Sequence, residues 1–276
     1  MPRRKSTLLG REFGKRVRAI IDQMNMPHSK LAEKVGWDQS KMSDMVRGKG
    51  GVTELEVVQL LAYCRVTPAE FSSMIELYRE TRMNGYLQIP DDGIPDQVRI
   101  LIEQEVLANA ITVWASLLIP GHLQTVDYMR ALVEGGTTND AVDYEEVIKA
   151  RIERRRLFHH SRKFVFYIAE SALRLPVGGP AVMKDQLIHL LGVADRSYVT
   201  VRIIPSALGA HAGASGSFLQ LRYEKFEPVI FIESKTCCLF LEDKSSLDIY
   251  SSVLKLLDAQ ALDEQESKEL IKSILT

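Results

Sequence analysis

The sequence predicts an α+β protein in two parts: a five-helix N-terminal bundle, then a larger domain with a mostly antiparallel sheet and flanking helices. Three observations predict it. Apolar residues recur at helical spacing, punctuated by capping sequences, through residues 10–82. From about residue 110, short runs rich in Val, Ile, Phe and Tyr follow one another and close on two helical segments. Charge divides at the same place. Residues 1–82 carry 15 Lys+Arg against 10 Asp+Glu, leaving 20 and 26 of the chain's 35 and 36 for the remainder.

The first helix is marked by Phe13, Val17, Ile20, Ile21 and Met24, with Arg11, Lys15, Arg16 and Arg18 on its other face. Residues 27–50 then read as two short helices joined by a tight turn at Gly36. Leu31, Ala32 and Val35 give the first an apolar stripe, and the small Ala32 lets the second cross closely. Gly36 stands where a helix end favours positive φ, and Asp38 is placed to cap the next helix. Met42, Met45 and Val46 are the buried face of that helix at i, i+3, i+4. Gln39, Ser40, Lys41, Ser43, Asp44 and Arg47 are left outward, side chains of the kind that read base edges or hold phosphates. Such a hairpin presents a helix to the major groove of DNA, although any small helical hairpin is apolar inside and polar outside. Thr53-Glu54-Leu55-Glu56 is a capping box that opens a fourth helix with Leu55, Val58 and Ala62 in register. Thr67-Pro68-Ala69-Glu70 is a second capping box that opens a fifth, with Pro68 at its first position and Phe71, Met74, Ile75 and Tyr78 as its stripe.

Residues 83–97 are read as the linker: Met83-Asn84-Gly85 ends the bundle, and residues 89–96 are acidic and turn-rich. The larger domain occupies residues 98–276. A helix is expected over 98–109, a buried strand over 111–118 ended by Pro120-Gly121, and helices over 125–132 and 143–158. A strand over 163–169, a helix from Val177-Gly178-Gly179-Pro180 to about Ala194, and strands over 199–204, 218–223, 229–233 and 238–241 follow. Two helices close the chain, Ser245–Ala261 and one opened by Asp263 with Glu266 three residues on.

The formal net charge of −1 thus hides a basic bundle and an acidic remainder. Counterion release from phosphates rewards local positive charge, so the bundle is the part suited to DNA. Arg3, Arg4 and Lys5 form a basic arm that either follows the DNA backbone or is a solvated terminus. No apolar run approaches a membrane span, and the basic N-terminus lacks the apolar core of a signal peptide. Cys64, Cys237 and Cys238 make no disulfide framework. A cytoplasmic protein is expected, with no membrane partner.

The segment Leu31-Ala32-Glu33-Lys34-Val35-Gly36, with Gln39-Ser40-Lys41-Met42-Ser43 and Arg47-Gly48-Lys49, resembles the XRE (λ-repressor-like) helix-turn-helix family. The resemblance covers about the first quarter of the chain. It implies that Gln39, Ser40 and Lys41 meet base edges and that Ser43 and Arg47 lie near bases or phosphates. Pro27 and His28 stand where the family usually has Thr-Gln, so His28 or Ser29 is expected to take the phosphate contact. Asp44 stands where many relatives carry Arg.

Pro120-Gly121-His122-Leu123-Gln124-Thr125 with Tyr128 resembles a segment of a domain of unknown function that follows the XRE module in Scr-type, toxin–antitoxin-like regulators of filamentous actinobacteria. Arg151/Arg154/Arg155, Pro176-Val177-Gly178-Gly179 with Met183, Gln186 and Leu187, Ile204-Pro205, and Gly216-Ser217-Phe218 extend the resemblance. Relatives often carry Leu at the place of His122 and Gln at that of Arg156. The resemblance implies a regulator whose C-terminal domain binds a small partner protein.

Other residues invite an enzymatic reading: His159, His160, His211, Glu233, Cys237 and Cys238. None has metal-ligand spacing, and a Cys–His nucleophile pairing stays open because only the fold could bring it together; neither a metal, a cofactor nor an enzyme is expected. The glycine-rich stretch 209–216 is read as a flexible loop between strands, with anion or partner binding as the rival reading. The arginines over 151–156 fit an interface or a solvated helix face equally, with Glu145, Glu146 and Glu153 as local partners. The function expected is a homodimeric, sequence-specific transcriptional regulator on an inverted-repeat operator, an autorepressor or antitoxin-like protein bound by a small partner. Two hairpins about 34 Å apart on one duplex face would supply affinity that one lacks. The alternative is a one-component regulator that senses a small-molecule effector in its C-terminal domain.

Overall fold

The computed structural model describes residues 6–81, 86–88, 95–136, 145, 148, 149, 151, 152, 158, 161–234 and 237–276. Arg3–Lys5, most of the linker, Arg154–Arg156, His159 and His160 lie outside them. The chain forms two compact units, with the main boundary between Tyr86 and Leu87.

The first unit holds α1 (Leu8–Gln23), α2 (His28–Lys34), α3 (Gln39–Val46), α4 (Glu54–Cys64) and α5 (Pro68–Glu80). Each start but one is a side-chain cap. The Thr7 hydroxyl accepts from the Gly10 N–H, Asp38 from Lys41, Thr53 from Glu56 and Thr67 from Glu70; one such cap contributes about 1 kcal/mol. Only α2 begins without one, at Pro27. Phe13, Val17, Ile20 and Ile21 meet Leu31, Ala32, Met42, Met45 and Val46 in the core, as expected. The approach of α1 to α3 is closer than side chains allow: a Cβ on Gly14 would stand 2.6 Å from the Val46 carbonyl oxygen, and one on Gly10 2.3 Å from that of Gly48.

The fourth helix corrects one expectation. Its buried face is Val57, Leu60 and Leu61, while Leu55 is 72% exposed and Ala62 lies at the surface. Both triplets are helical in spacing, so periodicity alone could not choose between them. Val52 is buried just before the cap, and its carbonyl accepts the Tyr78 hydroxyl hydrogen bond from α5 at 2.6 Å.

The second unit is α+β, and the first strand of its sheet begins one residue before the boundary. In chain order come β1 (Tyr86–Gln88), α6 (Pro95–Leu107), β2 (Ala110–Ala115), α7 (Val126–Gly136), β3 (Lys163–Ala169), α8 (Glu170–Arg174), α9 (Gly179–Ala194), β4 (Val199–Ile204), β5 (Phe218–Arg222), β6 (Val229–Glu233), β7 (Cys238–Leu241), α10 (Lys244–Gln260) and α11 (Glu264–Leu275). The sheet order is β1-β7-β6-β5-β2-β3-β4. The pairs β2–β5, β5–β6 and β6–β7 are antiparallel, as the short connections between strands 5, 6 and 7 require. The pairs β2–β3 and β3–β4 are parallel, with Val113 opposite Phe166 and Phe166 opposite Val201. Helices α7 and α9 fall in those two connections and return the chain in the same direction. The strand β1 and the helix α8 have no counterpart in the sequence reading.

The alternation of β3 sets the two core layers. Val165, Tyr167 and Ala169 join Trp114, Ile204, Phe218 and Ile230 under Leu247, Tyr250, Val253, Leu254 and Leu257 of α10. Phe164 and Phe166 face the other way, beside Phe158 and His122. Arg202 fastens the end of α10, donating to Asp258 at 2.6 Å and to the Ala261 and Leu262 carbonyls. The Tyr167 hydroxyl donates to the same carboxylate at 2.6 Å; burial, then Asp258, pushes its pKa well above the tyrosine range.

Candidate nucleic-acid interface

The hairpin is built by local chemistry. Trp37 N–H donates to the Ala32 carbonyl at 2.8 Å and closes the turn, Gly36 supplies φ 72°, and Asp38 takes the Lys41 N–H at 2.6 Å. Met42, Met45 and Val46 are buried under α1 and α2, which turns the opposite face of α3 outward.

His28 and Ser29 at the start of α2 meet Gln39, Ser43 and Arg47 of α3 around an open concavity of about 270 Å³, floored by Met42 and Val46. Arg18 of α1 completes the rim. Its signal in the sequence was the basic face of the first helix, but nothing in the spacing placed it against α3. Arg18, Gln39, Ser29 and Arg47 are exposed; His28 and Ser43 are partly so. Two guanidinium forks beside hydroxyl and amide groups suit phosphate oxygens and base edges. Asp22 Oδ1 lies 3.5 Å from His28 Nε2. Ser40 is exposed on α3 beside this group but outside the concavity.

The remaining two site residues are engaged within the unit. Asp44 lies 3.3 Å from Lys49 Nζ, so its charge is balanced where a phosphate would otherwise meet an isolated carboxylate. Lys41 pairs with Glu56 of α4, and its ammonium lies 5.4 Å from the Trp37 ring centroid. In the sequence Glu56 reads only as a capping-box partner, because the contact to Lys41 spans 15 residues.

In the second unit, the segment 119–128 is a structural lock. Gln124 donates to the Ile119 carbonyl at 2.7 Å, and Tyr128 accepts the Ile119 N–H. The buried Gln186 of α9 accepts from Thr125 N–H and donates to the Leu123 carbonyl, both at 2.7 Å. His122 Nε2 stands 3.0 Å from Glu105, a carboxylate with 0% exposure on α6. The loop 209–216 is anchored rather than free: Trp114 donates its indole N–H to the Gly213 carbonyl at 2.8 Å, and the His211 ring stands edge-on to Trp114 at 5.1 Å. A side chain at position 213 would strike that indole. Cys238 is buried on β7, and desolvation pushes its thiol up to about 11. Among the described residues no group of three or more His, Cys, Asp or Glu is gathered as a metal ion would need, and no helix is long and apolar enough to cross a membrane.

No curated protein matches the chain. Residues 98–273 match the family model described as a domain of unknown function, DUF5753. These residues are the sheet domain from α6 through most of α11, well over half of the sequence. The chain therefore belongs to the DUF5753 family.

Proposed function

We propose that the protein is a sequence-specific DNA-binding transcriptional regulator, with an XRE-type helix-turn-helix in its first unit and a DUF5753 domain that binds a small partner protein and supports a homodimer. The observation that carries this reading is the α2–α3 hairpin: Gln39, Ser43, Arg47, His28 and Ser29 converge with Arg18 on one concave outward face. Arg18 and Arg47 hold phosphates, while Gln39, Ser40 and Ser43 face base edges. DUF5753 is commonly found with XRE-type helix-turn-helix modules, which supports the pairing of the two units. The regulator acts as an autorepressor or in an antitoxin-like pair, and a dimer reads an inverted repeat with half-sites about one helical turn apart.

The test is selection of duplexes from a random pool by the full-length protein, followed by binding of variants to the selected and to random DNA. Gln39→Ala should cost about 1–3 kcal/mol on the selected duplex and almost nothing on random DNA. Arg18→Ala and Arg47→Ala should weaken both alike. Selection of no sequence, or equal losses for Gln39→Ala on both duplexes, refutes sequence reading by α3.

A further inference from the structure

The third residue of α3 carries a cation that is already neutralised. Lys41 is about one-quarter exposed, its Nζ is paired with a Glu56 oxygen, and the Trp37 ring centroid lies 5.4 Å from it. Glu56 is itself fixed. Its second oxygen accepts the Thr53 N–H at 2.8 Å and the Thr53 hydroxyl at 3.1 Å, closing the capping box of α4. Lys41 first, then the Thr53 N–H, holds its carboxyl below the ordinary glutamate range, so Glu56 stays ionised at neutral pH. A free lysine on the outward side of α3 would do the opposite of sequence reading: it would add one phosphate contact to any duplex.

We propose that Glu56 is a specificity-determining positioning residue, which holds Lys41 in an internal ion pair and withholds its charge from phosphates. The inference rests on the DNA-binding reading of α3. The latch lowers affinity for all DNA so that the contacts of Gln39, Ser40 and Ser43 make up a larger share of the difference between right and wrong sequences. It joins α3 to the first turn of α4, so Lys41 is set by a residue that touches no base.

Full-length wild type, Glu56→Gln, Lys41→Met and the double variant are titrated with random and with selected duplexes over a salt series. Glutamine retains an acceptor for the Thr53 cap while removing the charge. Glu56→Gln should bind random DNA more tightly, with the slope of log K against log salt steeper by about 0.9, one extra phosphate contact. The ratio of selected to random affinity should fall. With Lys41→Met in place, Glu56→Gln should leave the slope unchanged, and Lys41→Met alone should keep the wild-type slope. An unchanged slope in Glu56→Gln, an equal steepening without Lys41, or a shallower slope in Lys41→Met each overturns the latch and leaves the DNA reading standing. Absence of duplex binding by the wild type overturns that reading and the latch with it.

Discussion

Substituting Gly14 by Ala tests whether backbone contact between α1 and α3 sets the geometry of the hairpin. In an ordinary helix interior this change stabilises by about 1 kcal/mol, because glycine loses the most backbone entropy. Here the new Cβ would lie 2.6 Å from the Val46 oxygen and 2.8 Å from that of Met45, with the Val46 carbonyl carbon at 2.9 Å. All three are backbone atoms of the end of α3, so no rotamer change relieves the clash. Overpacking of this kind costs about 1–3 kcal/mol and here has to overcome the propensity gain. The internal control is Gly192 of α9, where a Cβ meets nothing within 4 Å. Gly192→Ala should stabilise by about 0.5–1 kcal/mol. Hydrogen exchange of amides in α3 and α9 reads each unit separately in the full chain. Gly14→Ala should reduce protection across α1 and α3 by about 1–2 kcal/mol and raise none of them, while Gly192→Ala raises protection in α9. If Gly14→Ala protects its own unit as Gly192→Ala protects the other, the close approach does not constrain the fold and the reasoning fails.

Other outcomes follow from the same structure. His122→Leu removes the imidazole 3.0 Å from the fully buried Glu105 and should cost about 1–3 kcal/mol in thermal or urea unfolding, with part of the loss recovered by adding Glu105→Leu; a neutral single variant refutes a stabilising contact. The Ser206 N–H at 2.9 Å, then Arg174, holds the Glu170 carboxyl below its ordinary 4.5. Its contribution is therefore complete above that value and is lost as pH falls through the lowered one, so Glu170→Gln should flatten the acid limb of stability against pH; a parallel displaced curve refutes this. The Cys238 thiol, raised to about 11, should resist alkylation at about pH 8 until the domain unfolds. Rapid labelling of Cys238 in the native protein, mapped by mass spectrometry, contradicts its burial.

What the sequence revealed was mostly local. The caps Asp38, Thr53, Thr67 and Asp263 each accept an N–H three residues on, and the boxes at Thr53 and Asp263 close in both directions, whereas the box expected at Thr67 forms only its Thr67-to-Glu70 N–H half. The apolar faces of α1 and α3 were legible because one triplet in each was much the stronger. The face of α4 was not, since Leu55 and Val57 begin equally helical series and only tertiary packing, chiefly against α5, selects Val57. The parallel half of the sheet was hidden for a similar reason: strand composition marks a buried strand but not the direction of its neighbour. Within the candidate site, Gln39, Ser43 and Arg47 could be read from the i, i+4, i+8 spacing along two turns of one helix. Arg18 and Glu56 could not, because their roles arise only when α1 and α4 are laid beside α3.

The chain has two tryptophans, and the fold gives one to each unit. Trp37 stands just before α3 with its ring centroid 5.4 Å from the Lys41 ammonium, and Trp114 is clamped to the glycine-rich loop through its indole nitrogen. Replacing either by phenylalanine leaves a single tryptophan, which excitation on the red edge, beyond tyrosine absorption, reads alone. Emission from the Trp114→Phe protein then senses what arrives on α3, while that from Trp37→Phe senses whether the loop over β2 lifts. Ligand screening of each half needs no attached dye.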